Sequence, residues 1–249
     1  MLRSLAERLS RGRWFRRRLP KAYGGCRMYV SPECGLSYWL GLGAGKSLFE
    51  NAAEMIKPGN VVWDVGANMG LFSFAAAGLA GPGGRVYCFE PDAVLVGLLR
   101  RSAQLNPGAA PVEVIPCAVS DEVSLARFNI AQRSRASNFL EGFGATQTGG
   151  IRETQTVPAV SLDWMAERIP PPDVLKVDVE GAESSVFRGA ARMLASKRPK
   201  LIFESHREHC EELSSQLLKL GYTLYDCELP PQQRKPLPQA THYTLALPA

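Results

Sequence analysis

This chain of 249 residues contains few of the residues and patterns that several kinds of site require. It contains only three histidines, and none of its six cysteines lies in a C-x-x-C pair, so the spacing typical of a structural zinc site is missing. No segment approaches the roughly 18 consecutive apolar residues of a membrane-spanning helix. The basic start is not followed by the apolar core of a secretory signal. Scattered cysteines in such a chain predict a reducing, cytoplasmic location.

The net charge of +5 is concentrated near the N-terminus. Residues 1–21 carry eight Lys or Arg and one acid, Glu7, for a net charge of +7, which leaves about −2 for the rest. A body that is not basic argues against a surface that follows nucleic acid. Leucines and Trp14-Phe15 lie among the arginines, which suits peripheral contact with an anionic membrane surface or a partner. A solvated, partly helical arm is the alternative.

Apolar runs alternate with helical patterns from residue 47 onward, which predicts an α/β fold with a mostly parallel seven-stranded sheet and helices on both faces. The final two strands suggest a reversed strand at the sheet edge. Residues 1–46 are predicted to be a basic arm and lead-in, and 47–249 the domain. The predicted strands are 60–65, 85–90, 112–116, 174–178, 200–204, 222–227 and 241–247. The predicted helices are 47–57, 71–80, 92–105, 183–196 and 207–220.

The most informative stretch is an apolar strand that ends in an acid and enters a helix through a glycine turn. Glycine lets a ligand approach the main chain, and a helix start offers free N–H groups to an anion. A dinucleotide site needs G-x-G-x-x-G, but Leu71 stands where its third glycine belongs. The pattern D-x-G-x-x-x-G instead resembles motif I of S-adenosylmethionine (SAM) methyltransferases, where the acid holds the cofactor's ammonium group directly or through water. A plain strand-turn-helix is the alternative. The predicted cofactor contacts are Asp64, Gly66, Ala67, Asn68 and Gly70.

A second apolar run ends in Glu90-Pro91, and Glu90 lies twenty residues after Gly70. An acid at the end of the second strand is placed to accept hydrogen bonds from both ribose hydroxyls. Both NAD and SAM carry this ribose, so Glu90 supports a nucleoside ligand without choosing between them. After the third strand, Ser120 or Asp121 could bond the adenine amino group, although an ordinary turn explains them equally well.

The segment between the third and fourth strands is long. Residues 123–160 predict two or three strands around a polar loop rich in Gly and Thr. Long loops in a compact domain are often functional, so we expect substrate-binding groups here. A flexible surface loop is the alternative.

Five blocks, in order and in register, resemble the FkbM family of SAM-dependent methyltransferases. The resemblance spans residues 47–205. It implies a class I Rossmann-like methyltransferase fold, SAM as cofactor, and methylation of a hydroxyl on a sugar, a glycan or a related natural product. The blocks are Asp64–Gly70, Phe89–Pro91, Ala118–Ser120, Ser161–Asp163 and Asp173–Glu183.

Asp178 ends the fourth strand, at the sheet edge where ligands bind in open α/β folds. Methyl transfer to oxygen requires that the acceptor be aimed in line and lose its proton. Asp178 is therefore the first candidate for base or orienting group, and it also counts among the cofactor contacts. Glu204 and His206 are further catalytic candidates. Glu180 and Glu183 lie close enough in sequence to share Mg²⁺ with Asp178, but other oxygen ligands would be needed, and we predict no metal.

The predicted function is SAM-dependent O-methylation of a small-molecule or glycan hydroxyl. A DNA amino-methyltransferase would carry an N/D-P-P-Y/F loop after strand four, where this chain has Asp178-Val179-Glu180-Gly181, so no nucleic-acid partner is expected. One rival is a SAM-binding interaction protein without turnover. Another, disfavoured by the missing fingerprint, is a nicotinamide-dependent oxidoreductase.

Overall fold

The computed structural model describes residues 12–34, 45–132, 134–144 and 149–249. The start of the basic arm lies outside the described residues, as do most of the glycine-rich lead-in, Arg133 of the polar loop and the tip of that loop. Within these described ranges, no helix is both long and apolar enough to cross a membrane. All six cysteines are buried as free thiols.

The described chain begins with a hairpin of two antiparallel strands, β1 (Phe15–Arg18) and β2 (Arg27–Val30). The strands that follow are β3 (Val61–Val65), β4 (Arg85–Phe89), β5 (Val112–Ile115), β6 (Ala118–Val119), β7 (Ser124–Ala131), β8 (Phe139–Leu140), β9 (Ile151–Val160), β10 (Val174–Val177), β11 (Lys200–Glu204), β12 (Tyr222–Asp226) and β13 (Tyr243–Pro248). The helices are α1 (Lys46–Met55), α2 (Leu71–Ala80), α3 (Ala93–Ala103), α4 (Leu162–Ala166), α5 (Glu183–Arg188), α6 (Ala191–Lys197) and α7 (Cys210–Lys219).

The central sheet has seven strands in the order β12-β13-β11-β10-β3-β4-β5. The four pairs among β11, β10, β3, β4 and β5 are parallel, whereas β13 is antiparallel to both β11 and β12, so the sheet is mixed. The reversed strand was expected at the edge. It instead lies one position inside, because β13 pairs with β11 on one side and with β12 on the other.

Helices cover both faces of this sheet. Neighbouring strand residues point to opposite sides, so Val62 joins one hydrophobic cluster with α1, α2 and α3, while Trp63 joins another with α4 to α7. Both residues are fully buried. A strand covered on both faces reads as a continuous apolar run, which is how Val61–Val65 could be recognised in the sequence.

The N-terminal hairpin packs on the first of these faces. Met28 is fully buried in the same cluster as α3, and the backbone N–H of Tyr29 donates to Ser102 Oγ at 2.9 Å. At the hairpin turn, Gly24 has φ +90°, and a Cβ there would lie 2.7 Å from the Cα of Gly78 in α2. Residues 15–30 therefore extend the core beyond the predicted domain start. The boundary at residue 46 itself stays a prediction.

The 123–160 segment forms a smaller four-stranded sheet in the order β6-β9-β7-β8. Strand β7 pairs antiparallel with both β8 and β9, and β6 pairs parallel with β9. The strands predicted around the polar loop are therefore present. Their own hydrophobic cluster includes Phe128, Ile130 and Leu140. This sheet stands at the carboxyl ends of the central strands.

The helix predicted over 183–196 is wrong as a single element. It is divided into α5 and α6 because Gly189 lies against the backbone of Ser120, where a Cβ would come within 2.3 Å of the Ser120 carbonyl oxygen. The Gly189 carbonyl instead accepts a hydrogen bond from Asp163 N at 2.8 Å. Likewise, the helix predicted from 207 begins with a 3₁₀ turn, Arg207–His209, and α7 starts at Cys210.

Candidate active site

A cleft opens at the carboxyl ends of β3, β4 and β10 and is covered by the smaller sheet. Of the residues predicted to bind cofactor, five line it: Gly66, Asn68, Glu90, Pro91 and Asp178. The opposite wall comes from residues that were not among the predicted cofactor contacts. They are Cys117, Val119, Phe128, Arg135, Asn138, Leu140 and Glu180.

The glycine turn after β3 forms the floor of the cleft. Gly66 has φ +74°, and a Cβ there would lie 1.8 Å from the carbonyl oxygen of Asp178, so only glycine fits. Asn68 also has a left-handed backbone, at φ +52°, and its Oδ1 is buried without a hydrogen-bond partner. An unpaired buried amide oxygen beside an open main chain is suited to a polar ligand.

Glu90 projects from the end of β4 and is only 4% exposed. Its two oxygens accept hydrogen bonds from the backbone N–H groups of Asn68 at 2.8 Å and Asp92 at 2.9 Å. Burial, with the nearby Asp92 carboxylate, raises the pKa of Glu90 to about 8. The backbone thus fixes the carboxylate at the cleft wall, where it can accept further hydrogen bonds once ionised.

Asp64 is not among the residues that line the cleft. Its contact with the cofactor's ammonium group, directly or through water, stays a prediction. Its carboxylate is fully buried: Oδ2 accepts from Ser73 Oγ at 2.5 Å, and Oδ1 lies 3.2 Å from Lys176 Nζ. Lys176 also donates to the Gly66 carbonyl oxygen at 2.8 Å. Asp64 therefore fixes the position of Lys176, and Lys176 in turn stabilises the glycine turn through its hydrogen bond to Gly66. Lys176 was missed because it lies within the apolar run of β10.

Asp178 lies where two clefts meet. Its Oδ2 is 3.3 Å from Lys176 Nζ, and its side chain remains 35% exposed. It lines both the cleft that contains Glu90 and a second cleft bordered by Lys176, Glu204 and Tyr243. A carboxylate in this position can contact two ligands, one in each cleft.

Glu204 lines the second cleft, whereas His206 does not. With Glu180, Arg207 and His242, both residues line a shallow depression on the surface. Glu204 Oε1 is 3.4 Å from His242 Nε2. Burial, with repulsion from Asp178, raises the pKa of Glu204 to about 7, within the range of a group that exchanges protons near neutrality.

The two carboxylates that follow Asp178, Glu180 and Glu183, lie in different surroundings. Glu183 is buried, and its Oε1 accepts from the backbone N–H groups of Val179 and Gly181, each at 3.2 Å. Glu180 has a left-handed backbone, at φ +57°, and burial, with repulsion from Asp178, raises its pKa to about 8. Within the described ranges, no three His, Cys, Asp or Glu side chains come together as a metal-binding group.

The remaining predicted contacts do not line the cleft. Ser120 Oγ is 3.2 Å from Ser185 Oγ, and Asp121 pairs with Arg188 at 3.4 Å on the surface. The residues just before them, 117–119, line the cleft instead. A contact of Ser120 or Asp121 with adenine stays a prediction. Ala67 is buried beneath the turn. Gly70 caps α2, where a Cβ would lie 2.6 Å from both Leu99 and Phe74 side chains, so its role is packing.

An ionic network fastens the smaller sheet to the cleft. Arg135 pairs with Asp92 through Nη1 and with Glu33 through Nε at 3.1 Å. Asn138 Nδ2 donates to Asp92 Oδ2 at 2.9 Å, and Arg152 reaches Glu33 at 2.6 Å. Arg135 and Asn138, both from the polar loop, thus direct their polar groups toward Asp92 and line the cleft. A substrate-binding role for this loop stays a prediction.

The strand order, the glycine turn and the two clefts define a Rossmann-like methyltransferase architecture. Residues 64–224 match the methyltransferase FkbM domain. The chain belongs to this family, so the resemblance found in the sequence is confirmed.

Two curated relatives match at the sequence level. The 31-O-demethyl-FK506 methyltransferase FkbM of Streptomyces tacrolimicus is 44% identical over 160 residues, which cover 54% of this chain and 60% of that protein. The hexuronic acid methyltransferase AglP of Haloferax volcanii is 30% identical over 151 residues, which cover 60% and 56%. The chain therefore spans less than two thirds of the length of either relative.

A solved structure shares the fold. Methyltransferase FkbM from Methylobacillus flagellatus KT superposes with a TM-score of 0.51 at 17% identity, and the match covers 80% of this chain and 50% of that one. At this level of identity, the likeness concerns the fold alone.

Proposed function

We propose that this protein is a SAM-dependent O-methyltransferase and that SAM binds in the cleft between the glycine turn and Glu90. One observation carries the proposal: Gly66, Asn68, Glu90 and Asp178, which lie far apart in sequence, line one cleft at the strand ends. Family membership supports the same activity.

The cleft offers a partner for each part of such a cofactor. Once ionised, the Glu90 carboxylate accepts hydrogen bonds from the ribose hydroxyls. The apolar wall of Val119, Phe128 and Leu140 suits an adenine ring. The buried Asn68 Oδ1 can accept a hydrogen bond from the ammonium group of SAM. Asp64 then acts indirectly, by holding Lys176 against the turn.

SAM supplies an electrophilic methyl group that needs no further activation. Asp178 reaches both clefts, so it can aim the acceptor hydroxyl and accept its proton as the oxygen takes the methyl group. Glu204 and His206 border the acceptor side, where they orient the substrate or carry the proton away. The products are a methyl ether, S-adenosylhomocysteine and one proton.

The acceptor we propose is a hydroxyl of a sugar, a glycan or a related natural product. The relatives' names point the same way: one acts on a demethylated FK506, the other on a hexuronic acid. The second cleft presents carboxylates and a tyrosine, groups that hydrogen-bond hydroxyls. We place the reaction in the cytoplasm.

Calorimetric titration with SAM, and separately with NAD⁺, tests the cofactor. We expect micromolar binding of SAM alone. Glu90→Gln should weaken it about 10-fold to 100-fold, the usual effect of losing hydrogen bonds to a charged group. Glu113 is an exposed carboxylate on the neighbouring strand β5, so Glu113→Gln is the matched control and should bind SAM as the unmodified protein does.

The same titration tests the ionisation of Glu90. Because the pKa of Glu90 is about 8, affinity for SAM should rise from pH 7 to pH 9.

A screen of glycan hydroxyl acceptors with labelled SAM then tests turnover. Asp178→Asn should abolish transfer and leave SAM binding largely in place. Tight binding of SAM without transfer to any hydroxyl, together with full biological function of Asp178→Asn, would support the interaction-protein rival. NAD⁺ binding, or no SAM binding by the folded protein, would overturn the proposal.

A further inference from the structure

One face of the molecule carries many cations and no exposed acid. It is formed by the hairpin of β1 and β2 and by helix α3, which pack together through the Tyr29 to Ser102 hydrogen bond. The only acid in residues 12–34 is Glu33, which is buried and paired, and residues 93–112 contain none. We call this surface the hairpin face; its exposed basic residues are Arg13, Arg16, Arg17, Arg18, Lys21, Arg27, Arg100 and Arg101.

At least half of these eight cations have no anionic partner among the residues that the structure describes. Within the described ranges, Arg16, Arg18, Arg27 and Arg100 form no ion pair. Elsewhere on the surface some arginines are matched: Arg188 contacts Asp121 and Glu212, and Arg192 contacts Asp163 and Glu167. The hairpin face thus brings several unmatched cations together on one surface.

The hairpin places like charges side by side. Arg18 lies directly opposite Arg27 in the antiparallel register, and Arg16 lies two residues along the same face. Like charges at directly opposed positions destabilise a sheet. An anionic surface laid against the hairpin would turn this repulsion into attraction.

Aromatic residues are interleaved with the arginines. Trp14 and Tyr29 are half-buried, with ring centroids 6.5 Å apart, and the guanidinium of Arg101 lies 5.3 Å from the centre of the Trp14 ring. Trp and Tyr beside basic residues are typical of the membrane-water interface. Trp14 thus has a cation over its ring and a tilted tyrosine beside it.

We propose that the hairpin face docks on a membrane surface rich in anionic phospholipid headgroups. Each arginine near such a surface contributes about 1 kcal/mol of attraction, which corresponds to roughly fivefold in binding. The preceding residues 1–11 contain Leu2, Leu5 and Leu9, three arginines and one acid, Glu7, and so add a net charge of +2. This inference is independent of the proposed chemistry.

Co-sedimentation of the full chain with vesicles tests it. We expect binding to phosphatidylcholine vesicles that contain about 30% phosphatidylglycerol, no binding to pure phosphatidylcholine, and loss of binding at high salt. Replacing Arg16, Arg27 and Arg100 together by Gln should weaken binding roughly 100-fold. The control replaces Arg168, Arg188 and Arg192 by Gln, an equal change in net charge at paired positions, and should weaken it less than fivefold.

Three results would overturn the proposal. They are an absence of binding to the anionic vesicles, equal weakening by the test and control variants, and displacement from the vesicles by a short RNA or DNA duplex at lower concentration than lipid. The last result would assign the hairpin face to nucleic acid. Circular dichroism of each variant shows whether weaker vesicle binding arises from the removed charges or from unfolding of the protein.

Discussion

At the scale of single residues, Lys176 holds the site together. Burial alone would lower the pKa of Lys176, but the carboxylates of Asp178 and Asp64 more than offset this, so its pKa lies above the ordinary value. The lysine stays charged and bridges the ends of β3 and β10. A buried ion pair adds little net stability when complete, but removal of one member is costly.

Lys176→Met should therefore lower the free energy of unfolding by about 3–5 kcal/mol, because it leaves Asp64 charged and buried. The double variant Asp64→Asn/Lys176→Met should be more stable than Lys176→Met alone. Urea unfolding at pH 7 measures both. Lys200→Met is the control, since Lys200 lies on the adjacent strand and bonds only a backbone carbonyl. Equal losses from the two lysine substitutions would contradict this account.

At the scale of elements, the smaller sheet is tied to the central one by charge as well as by packing. Arg135 joins Glu33, just after the hairpin, to Asp92, at the start of α3, and both carboxylates are buried. Three segments distant in sequence thus meet beside the cleft. We expect the position of the cleft wall to depend on this guanidinium together with Asn138 and Arg152.

Arg135→Met should destabilise the protein by about 3–5 kcal/mol, since Asp92 is left buried with only Asn138 and backbone donors. It should also weaken SAM binding and speed hydrogen exchange at Phe139 and Leu140. Arg127→Met removes an exposed ion pair with Glu141 in the same sheet and should cost less than about 1 kcal/mol. Unchanged exchange in β8 would show that Arg135 does not fix this wall.

At the scale of the whole molecule, the carboxylates of the site make the folded protein less stable as pH rises. The pKa values of Glu90 and Glu180 are about 8 and that of Glu204 is about 7, all above the ordinary glutamate value. The folded state therefore binds more protons than the unfolded state between about pH 5 and pH 8.

The free energy of unfolding should accordingly fall by several kcal/mol between pH 6 and pH 8.5, about 1.4 kcal/mol for each pH unit over which one of these carboxylates is protonated in the folded state alone. Urea titrations across this range give the measurement. Glu90→Gln/Glu180→Gln should flatten the profile, whereas Glu113→Gln should not alter it. A flat profile would show that these carboxylates are ionised throughout, in the folded and unfolded states alike.

The sequence allowed prediction of those parts whose signal is local. The glycine turn, Glu90 and the strand ends follow from short patterns, because a doubly covered strand is a continuous apolar run and its carboxyl end collects ligands. Contacts between distant segments could not be predicted in this way. Nothing near Arg135 indicates Asp92 or Glu33, and nothing in β10 shows that Lys176 would meet Asp64. The break at Gly189 likewise depends on Ser120, 69 residues earlier.

The close approach of Gly24 and Gly78 has a consequence for how this protein can vary. A Cβ on either residue would lie within about 2.7 Å of the other's backbone, so each position forbids a side chain as long as the other backbone stays in place. A side chain at one of these positions cannot be accommodated by changing the other residue, because the clash is with the backbone and glycine is already the smallest residue. In a library that samples every amino acid, these two positions should tolerate glycine alone. The contact between the hairpin and α2 should therefore stay fixed even where the outward residues of the hairpin change.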